Sequence, residues 1–306
     1  MRQSSFFEPA SLGRQEMSDE REANSRTAVS VVMSVCNAEK DIAAAIESVL
    51  KQSFTDFEFI IVDAGSTDNT CAVIRSFEDK HIHLIDSNQG HIEALNTGMK
   101  ASSGKYIAFL EANGMMHVDR LKLQYSIMEE RPEITICGSW ETVFSKRMPK
   151  RVIEKKLSGW IEQPLIQLLF DDQLINPAYT VRKSFVDGHN LFFENEYHVR
   201  DYKFWVETAL LNGGFYIDSQ TLVYSRISDT NLSATRRIEK LKAIAAIKNE
   251  ILTALCKKYE ATHPALQHLC NACRELATQQ LIEEDDIFKL FYSLFMKNRD
   301  TFSNFQ

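Results

Sequence analysis

Short apolar segments rich in β-branched residues recur along the first half of the chain, and amphipathic segments separate them. They have the length of buried strands and lie at residues 28–35, 57–64, 82–87, 105–110 and 134–140. Between them, apolar residues recur at helical spacing, which predicts helices at residues 40–52, 69–77 and 92–101 and one that runs through Met128. This alternation predicts an α/β fold, a mostly parallel sheet with helices on both faces.

The pattern becomes less regular after residue 150. It predicts helices at residues 160–170 and within 197–214, a strand that ends near residue 227, and further helices at 236–259, 266–282 and 286–297. We therefore divide the chain into a disordered lead-in (1–27), a main domain (28–233) and a C-terminal helical region (234–306). The main domain is expected to have two halves, 28–140 and 141–233.

Composition narrows the classes of function. A formal net charge of -7 over 306 residues argues against a protein whose main task is to bind nucleic acid. No segment approaches the ~20 consecutive apolar residues of a membrane span, and residues 1–27 lack the apolar core of a signal peptide. We expect a cytoplasmic protein, or one attached to the inner face of the membrane.

Polar residues that follow the strands are candidates for a binding site, because ligands bind parallel sheets at the carboxyl ends of the strands. The first of these turns, SVCNAEKDI, has no glycine, which excludes a Gly-rich dinucleotide-binding turn, and the chain has no P-loop. Asp63 can accept hydrogen bonds from a nucleoside or cap the following turn. The fourth strand ends at Glu111, where one carboxylate precedes Asn113 and Gly114.

Two long stretches resemble, in order and spacing, the start of family 2 glycosyltransferases of the GT-A fold. They read VSVVMSVCNAEKDIAAAIESVLKQSFTDFEFIIVDAGSTDNT and NQGHIEALNTGMKASSGKYIAFLEANGMMHVDRL. The resemblance covers residues 28–140 and continues more weakly through NPAYTVRKSF, HVRDYKFW and YSRISDTNLS. It implies a GT-A fold and an inverting transfer of sugar from a nucleotide-diphosphate sugar to a hydroxyl group of a glycan or lipid-linked saccharide, as in polysaccharide biosynthesis.

The resemblance also implies roles for individual residues. Asp201, in HVRDYKFW, matches the general base, and its position also suits a helix N-cap. Arg182 matches the acceptor side, although a surface charge explains it equally well. The implied donor-binding residues are Ser34, Asn37, Asp63, Glu111 and Asn113, and the implied acceptor or phosphate side holds Arg182, Trp205 and Arg226.

The metal-binding motif departs from the family pattern. Relatives end the fourth strand in a D-x-D-D-like run that holds Mg²⁺ or Mn²⁺, whereas this chain has Glu111, Ala112, Asn113 and Gly114. A His that many relatives carry near the end of the domain is replaced by Ser228. Because cation affinity depends on the charge of the ligands, we expect Glu111 and Asn113 to hold a divalent cation weakly, or no metal to be used.

Three hypotheses remain. The chain transfers sugar with a loosely held metal; it transfers sugar without metal, with Arg226 neutralising the leaving group; or it binds a nucleotide-sugar or glycan without turnover and scaffolds another transferase through its C-terminal helices. The helix predicted at residues 236–258 is basic and amphipathic. We expect this helix to pack on the main domain with its basic face in solvent, and contact with anionic lipid is the alternative. The helices that follow are expected to pack against the protein or to form the contact of a homo-oligomer.

Overall fold

The computed structural model describes residues 27–144, 151–153, 157–170, 179–194, 199–226 and 234–303. In this part of the chain, one sheet contains 10 strands, in the order β3-β2-β1-β4-β9-β6-β10-β5, with β7 paired to β6 and β8 to β10. The strands are β1 (Val29–Val35), β2 (Phe57–Asp63), β3 (Ile82–Asp86), β4 (Tyr106–Phe109), β5 (Gly114–Met116), β6 (Ile134–Phe144), β7 (Arg151–Ile153), β8 (Gly159–Trp160), β9 (Thr180–Arg182) and β10 (Gly214–Arg226).

The directions of the strands confirm the predicted mostly parallel sheet. β1, β2, β3 and β4 run parallel to one another, and β6 and β10 are paired in parallel. β9 lies antiparallel between β4 and β6, which the sequence pattern did not predict. Because β9 is antiparallel to β4, the last residue of β9, Arg182, pairs with the first residue of β4, Tyr106.

Helices cover both faces of the sheet. They are α1 (Ile42–Leu50), α2 (Thr70–Arg75), α3 (His91–Ala101), α4 (Arg120–Glu130), α5 (Pro164–Phe170), α6 (Lys183–His189), α7 (Arg200–Leu210), α8 (Ala234–Lys258), α9 (Ala265–Thr278), α10 (Glu284–Lys297) and α11 (Arg299–Ser303). The helix predicted from residue 160 begins only at Pro164, because Trp160 pairs with Tyr216 in the sheet. Among the described helices, none has the length and hydropathy that a membrane span requires.

The alternation of side chains along β1 produces two hydrophobic cores, because successive residues of a strand face opposite sides of the sheet. Val31 and Met33 pack on one side with Ile42 of α1. Val32 faces the other side, where α3 approaches the sheet closely. Gly98 permits this approach, since a Cβ at this position would lie 2.6 Å from Val32 Cγ1.

The C-terminal helices share the second of these cores with the main domain. Ile251 and Leu255 of α8 lie in the same buried cluster as Val32. An ion pair between Lys203 of α7 and Glu250 of α8 adds a polar contact of 2.5 Å. The predicted lead-in (apart from residue 27), the predicted boundary at residue 233 and Ser228 lie outside the described residues.

Candidate active site

A crevice opens at the carboxyl ends of β1 and β4, where the amino ends of α3 and α7 also lie. This edge of a parallel sheet is where ligands usually bind. The crevice brings together three of the predicted site residues, Ser34, Glu111 and Asp201. Its complete lining is Ser34, His91, Leu95, Phe109, Leu110, Glu111, Phe193, Arg200 and Asp201.

The first wall of the crevice is a hydrogen-bonded pair formed by Ser34 and His91. Ser34 Oγ lies 2.7 Å from His91 Nδ1. His91 begins α3, directly after Gly90, whose φ of 86° belongs to the left-handed region that glycine tolerates best. Burial and the positive charge of Arg200 lower the pKa of His91 to about 3. The imidazole is therefore uncharged near neutral pH.

Arg200 lies between the two acidic residues of the crevice. Its Nη2 donates a hydrogen bond to Glu111 Oε1 at 3.0 Å, and its Nε lies 3.3 Å from Asp201 Oδ2. The Arg200 side chain is only 9% exposed, whereas that of Glu111 is 43% exposed. The crevice thus contains a fixed guanidinium between Asp201, whose side chain is 19% exposed, and the more exposed Glu111.

Asp201 lies in the first turn of α7 and is held by groups from a different part of the chain. The Tyr179 hydroxyl donates a hydrogen bond to Asp201 Oδ1 at 3.5 Å. Trp205, one helical turn beyond Asp201, is buried and packs edge-on against the Tyr179 ring, with the ring centroids 5.8 Å apart. Burial raises the pKa of Asp201 to about 6, although Arg200 opposes that rise. A carboxyl group with this pKa can accept a proton near neutral pH.

Asn37 and Asp63 lie at the same edge of the sheet; Asn37 is in the turn that follows β1, and Asp63 is the last residue of β2. The Asp63 carboxylate accepts hydrogen bonds from the backbone N–H groups of Gly65 and Ser66 and from the Ser66 hydroxyl. Asn37 Oδ1 accepts a hydrogen bond of 2.8 Å from the backbone N–H of Thr67. The two side chains therefore fix these adjoining turns, as the capping interpretation of Asp63 predicted.

Asn113 and Arg226 form a second polar group beside the end of β4. The Asn113 side-chain amide donates a hydrogen bond of 2.8 Å to the backbone carbonyl of Arg226. The Arg226 guanidinium forms an ion pair with Asp41 and lies over the Phe144 ring, 5.6 Å from its centroid. Arg226 is thus paired with an acid outside the residues that line the crevice.

Arg182 lies at the other end of the sheet, which corrects its assignment to the acceptor side. Its Nε donates a hydrogen bond to the Ile134 carbonyl at 3.0 Å, and its Nη2 donates one to the Met128 carbonyl at 2.9 Å. The antiparallel direction of β9 places Arg182 beside Tyr106, at the beginning of β4, whereas the crevice lies at its end. Arg182 therefore joins strands and a helix away from the crevice.

The side chains at the end of β4 do not fit a divalent cation. The Glu111 carboxylate already forms an ion pair with the Arg200 guanidinium, and a metal ion would have to compete for it. Asn113 offers an uncharged carbonyl oxygen, and Gly114 offers no side chain. Hard cations such as Mg²⁺ bind oxygen ligands whose summed negative charge sets the affinity. The predicted weak ligands Glu111 and Asn113 therefore lack the charge that a resident metal requires.

One further group in the described residues has ligand atoms close enough together to consider. Atoms of Asp63, Cys71 and Asp86 lie within 4.8 Å of one another. The Asp63 carboxylate already accepts hydrogen bonds from Ser66 in the turn that follows it. Burial raises the pKa of the Cys71 thiol, so this thiol stays protonated. This group also fits a metal poorly.

Three residues of the site were not predicted: His91, Arg200 and Tyr179. Each had a weak sequence signal. Arg200 directly precedes the proposed base in HVRDYKFW, His91 follows a glycine at a predicted helix start, and Tyr179 lies in NPAYTVRKSF. None of these sequence features indicates which distant residue each side chain contacts. The structure of the crevice depends on those contacts.

Comparison with known proteins identifies related sequences. Residues 30–196 match the family model described as "Glycosyl transferase family 2". An uncharacterised glycosyltransferase of Haemophilus influenzae is 28% identical over 242 residues, covering 75% of this chain and 75% of that protein. The Escherichia coli protein WfgD, a UDP-Glc:alpha-D-GlcNAc-diphosphoundecaprenol beta-1,3-glucosyltransferase, is 27% identical over 223 residues, covering 68% of this chain and 83% of its own length.

Solved structures share the fold. The crystal structure of S. aureus TarS 1-349 in complex with UDP-GlcNAc has a TM-score of 0.61 at 16% identity, covering 77% of this chain and 73% of that chain. A structure of S. aureus TarS 1-349 has a TM-score of 0.59 at 17% identity, covering 78% of this chain and 73% of that chain. This likeness, together with the mostly parallel sheet and its helices on both faces, identifies the fold as GT-A.

Proposed function

The chain belongs to glycosyl transferase family 2, and we propose that it transfers a sugar from a uridine-diphosphate sugar to a hydroxyl group of a lipid-linked saccharide, with inversion at the anomeric carbon. The observation that carries this proposal is Asp201, a largely buried carboxyl group in the crevice at the strand ends whose pKa is raised to about 6. We further propose that the reaction belongs to polysaccharide biosynthesis.

Asp201 acts as the general base. Its carboxylate accepts the proton of the acceptor hydroxyl while the acceptor oxygen forms a bond to the anomeric carbon, and the bond from that carbon to the diphosphate breaks with its electrons on the departing oxygen. Tyr179 and Arg200 hold the carboxylate in position. A single displacement of this kind inverts the configuration at the anomeric carbon.

The donor lies along the ends of β1, β2 and β4. Ser34 lies within the crevice, and Asn37 and Asp63 stabilise the turns beside it, where a nucleoside would contact their polar backbone. Uridine is proposed because the E. coli relative is named for UDP-Glc and the S. aureus neighbour was crystallised with UDP-GlcNAc. Glu111 affects donor binding only through its ion pair with Arg200.

A lipid-linked acceptor is consistent with the start of α8. The E. coli relative is named for a diphosphoundecaprenol-linked acceptor. In this chain, Ile238 and Leu241 are 55% and 58% exposed and lie three positions apart, on one face of the helix. Arg237 and Lys242 provide exposed positive charge beside them. Such a surface can lie on an anionic bilayer, which would bring the crevice to a membrane-bound acceptor.

The test measures UDP release from UDP-Glc and UDP-GlcNAc in the presence of a polyprenol-diphosphate-linked GlcNAc acceptor. Asp201→Asn should lower the rate by about 10²–10⁴-fold while UDP binding persists, because only the base is lost. Asp187→Asn is the matched control, since Asp187 is an exposed acid of α6 paired with Lys183. An unchanged rate in Asp201→Asn would contradict the base assignment. A folded wild type that binds UDP and transfers no sugar would favour the non-catalytic hypothesis.

A further inference from the structure

We propose that Arg200 is the cation that neutralises the leaving diphosphate in this chain, and that donor binding and transfer therefore need no divalent metal. The proposal rests on the proposed function, because it assigns the charge that the departing UDP requires. It differs from the metal-free hypothesis of the sequence analysis, in which Arg226 had this role.

Arg200 has the location that this role demands. Its guanidinium lies within the crevice, 3.0 Å from Glu111 at the end of β4 and 3.3 Å from the proposed base, Asp201. The guanidinium extends from Asp201 to Glu111, so its Nε end can hold the base while its Nη2 end reaches a diphosphate that leaves toward the end of β4. A guanidinium presents its N–H groups in a planar fork that matches phosphate oxygens, and its charge persists at every working pH.

Arg226 is less well located. Its guanidinium is 48% exposed, pairs with Asp41 and does not line the crevice. An exposed cation in an ion pair with another residue is screened by water and contributes little to charge stabilisation. Arg200, at 9% exposure, acts at a lower local dielectric, where the same charge stabilises a phosphate more strongly.

Glu111 then has the opposite role to that of a metal ligand. In the unliganded crevice, Glu111 balances the Arg200 charge. When a diphosphate arrives, it competes with Glu111 for the guanidinium, and the 43% exposed Glu111 side chain can turn toward water at low cost. Glu111 therefore weakens donor binding, whereas a carboxylate that held a metal would strengthen it.

The two roles predict opposite signs for one substitution. We would measure UDP binding by calorimetry, in EDTA and with Mn²⁺, for the wild type and Glu111→Gln. The wild type should bind equally in both conditions, and Glu111→Gln should bind several-fold more tightly in EDTA. Binding that requires Mn²⁺ and weakens in Glu111→Gln would overturn the role of Arg200 and leave the transferase function standing.

Arg200→Gln should weaken UDP binding by about tenfold or more, because charge-assisted bonds to phosphate are lost. Arg200→Lys should restore part of this affinity. The control, Arg274→Gln, removes a guanidinium from α9, far along the chain from the crevice, and should leave binding unchanged. Loss of binding in Arg226→Gln with retention in Arg200→Gln would overturn the proposal.

The double variant Glu111→Gln/Arg200→Gln tests whether Arg200 binds phosphate or only pairs with Glu111. Because it removes both charges of the ion pair, it also serves if Arg200→Gln alone fails to fold. If Arg200 acts only by neutralising the charge of Glu111, the double variant regains wild-type affinity. If Arg200 binds the diphosphate, the double variant stays weak in a protein with a normal thermal unfolding transition. Absence of UDP and GDP binding in the folded wild type, in both EDTA and Mn²⁺, would contradict the proposed function itself.

Discussion

The hydroxyl oxygen of Ser34 lies 2.7 Å from Nδ1 of His91, and this hydrogen bond joins the end of β1 to the start of α3 across the crevice. Ser34 is buried and His91 is partly buried, and the burial that lowers the pKa of His91 also strengthens the bond. We expect Ser34→Ala to lower the free energy of unfolding by about 1 kcal/mol, the net contribution of a typical hydrogen bond.

The double-mutant cycle with His91→Leu checks this interpretation. If the two side chains stabilise the protein through their shared bond, the double variant should lose less stability than the sum of the single variants, by about 1 kcal/mol. Chemical denaturation gives the loss in free energy of unfolding for the two single variants and the double variant. Additive losses would mean that each residue acts independently.

The pH dependence of transfer should report the protonation of Asp201. We expect kcat/KM to rise with pH through a midpoint of about 6, because the protonated carboxyl group cannot accept the acceptor proton and its pKa is raised to this value. The imidazole of His91 stays neutral above its pKa of about 3, so His91→Gln should leave the midpoint in place. A midpoint near the ordinary Asp value of about 4 would show that the base is solvated.

Lys203 should stabilise the contact between α7 and α8. It bonds Glu250 and Glu207, and although burial alone would lower the pKa of Lys203, these two carboxylates raise it above its usual value. We expect Lys203→Met to lower the free energy of unfolding by about 1–3 kcal/mol, since two carboxylates lose their cation. Lys289→Met is the control, because Lys289 pairs with Asp285 on an exposed surface. An equal effect of both substitutions would argue against a special role for the buried Lys203.

The start of α8 should bind anionic lipid. We expect the protein to sediment with phosphatidylglycerol vesicles and to remain in solution with phosphatidylcholine vesicles. The reason is that basic side chains such as Arg237 and Lys242 each contribute about 1 kcal/mol to binding at an anionic surface. The double variant Ile238→Glu/Leu241→Glu should abolish binding. Leu290→Glu changes a comparably exposed leucine of α10 and should not. Equal binding of the two variants would contradict a membrane-facing α8.

The sequence alone was sufficient for the architecture of the first half of the chain. Buried strands and amphipathic helices are local patterns, so β1 to β4 and the helices between them follow from short windows of sequence. Their alternation specifies a parallel sheet, and the carboxyl ends of its strands locate the candidate site. Ser34, Glu111 and Asp201 were predicted on these grounds together with the family resemblance, and the structure brings them into one crevice.

Contacts between distant residues were decided only by the tertiary structure. Arg200 and Glu111 are 89 positions apart and meet because α7 begins beside the end of β4. Arg182 lies at the opposite end of the sheet because β9 runs antiparallel to β4. Strand order, the antiparallel insertion of β9 and the pairing of charges depend on the packing of the whole chain, which short windows of hydrophobic periodicity do not specify. Whether the end of β4 binds a metal ion or an arginine therefore depends on the packing of the folded chain.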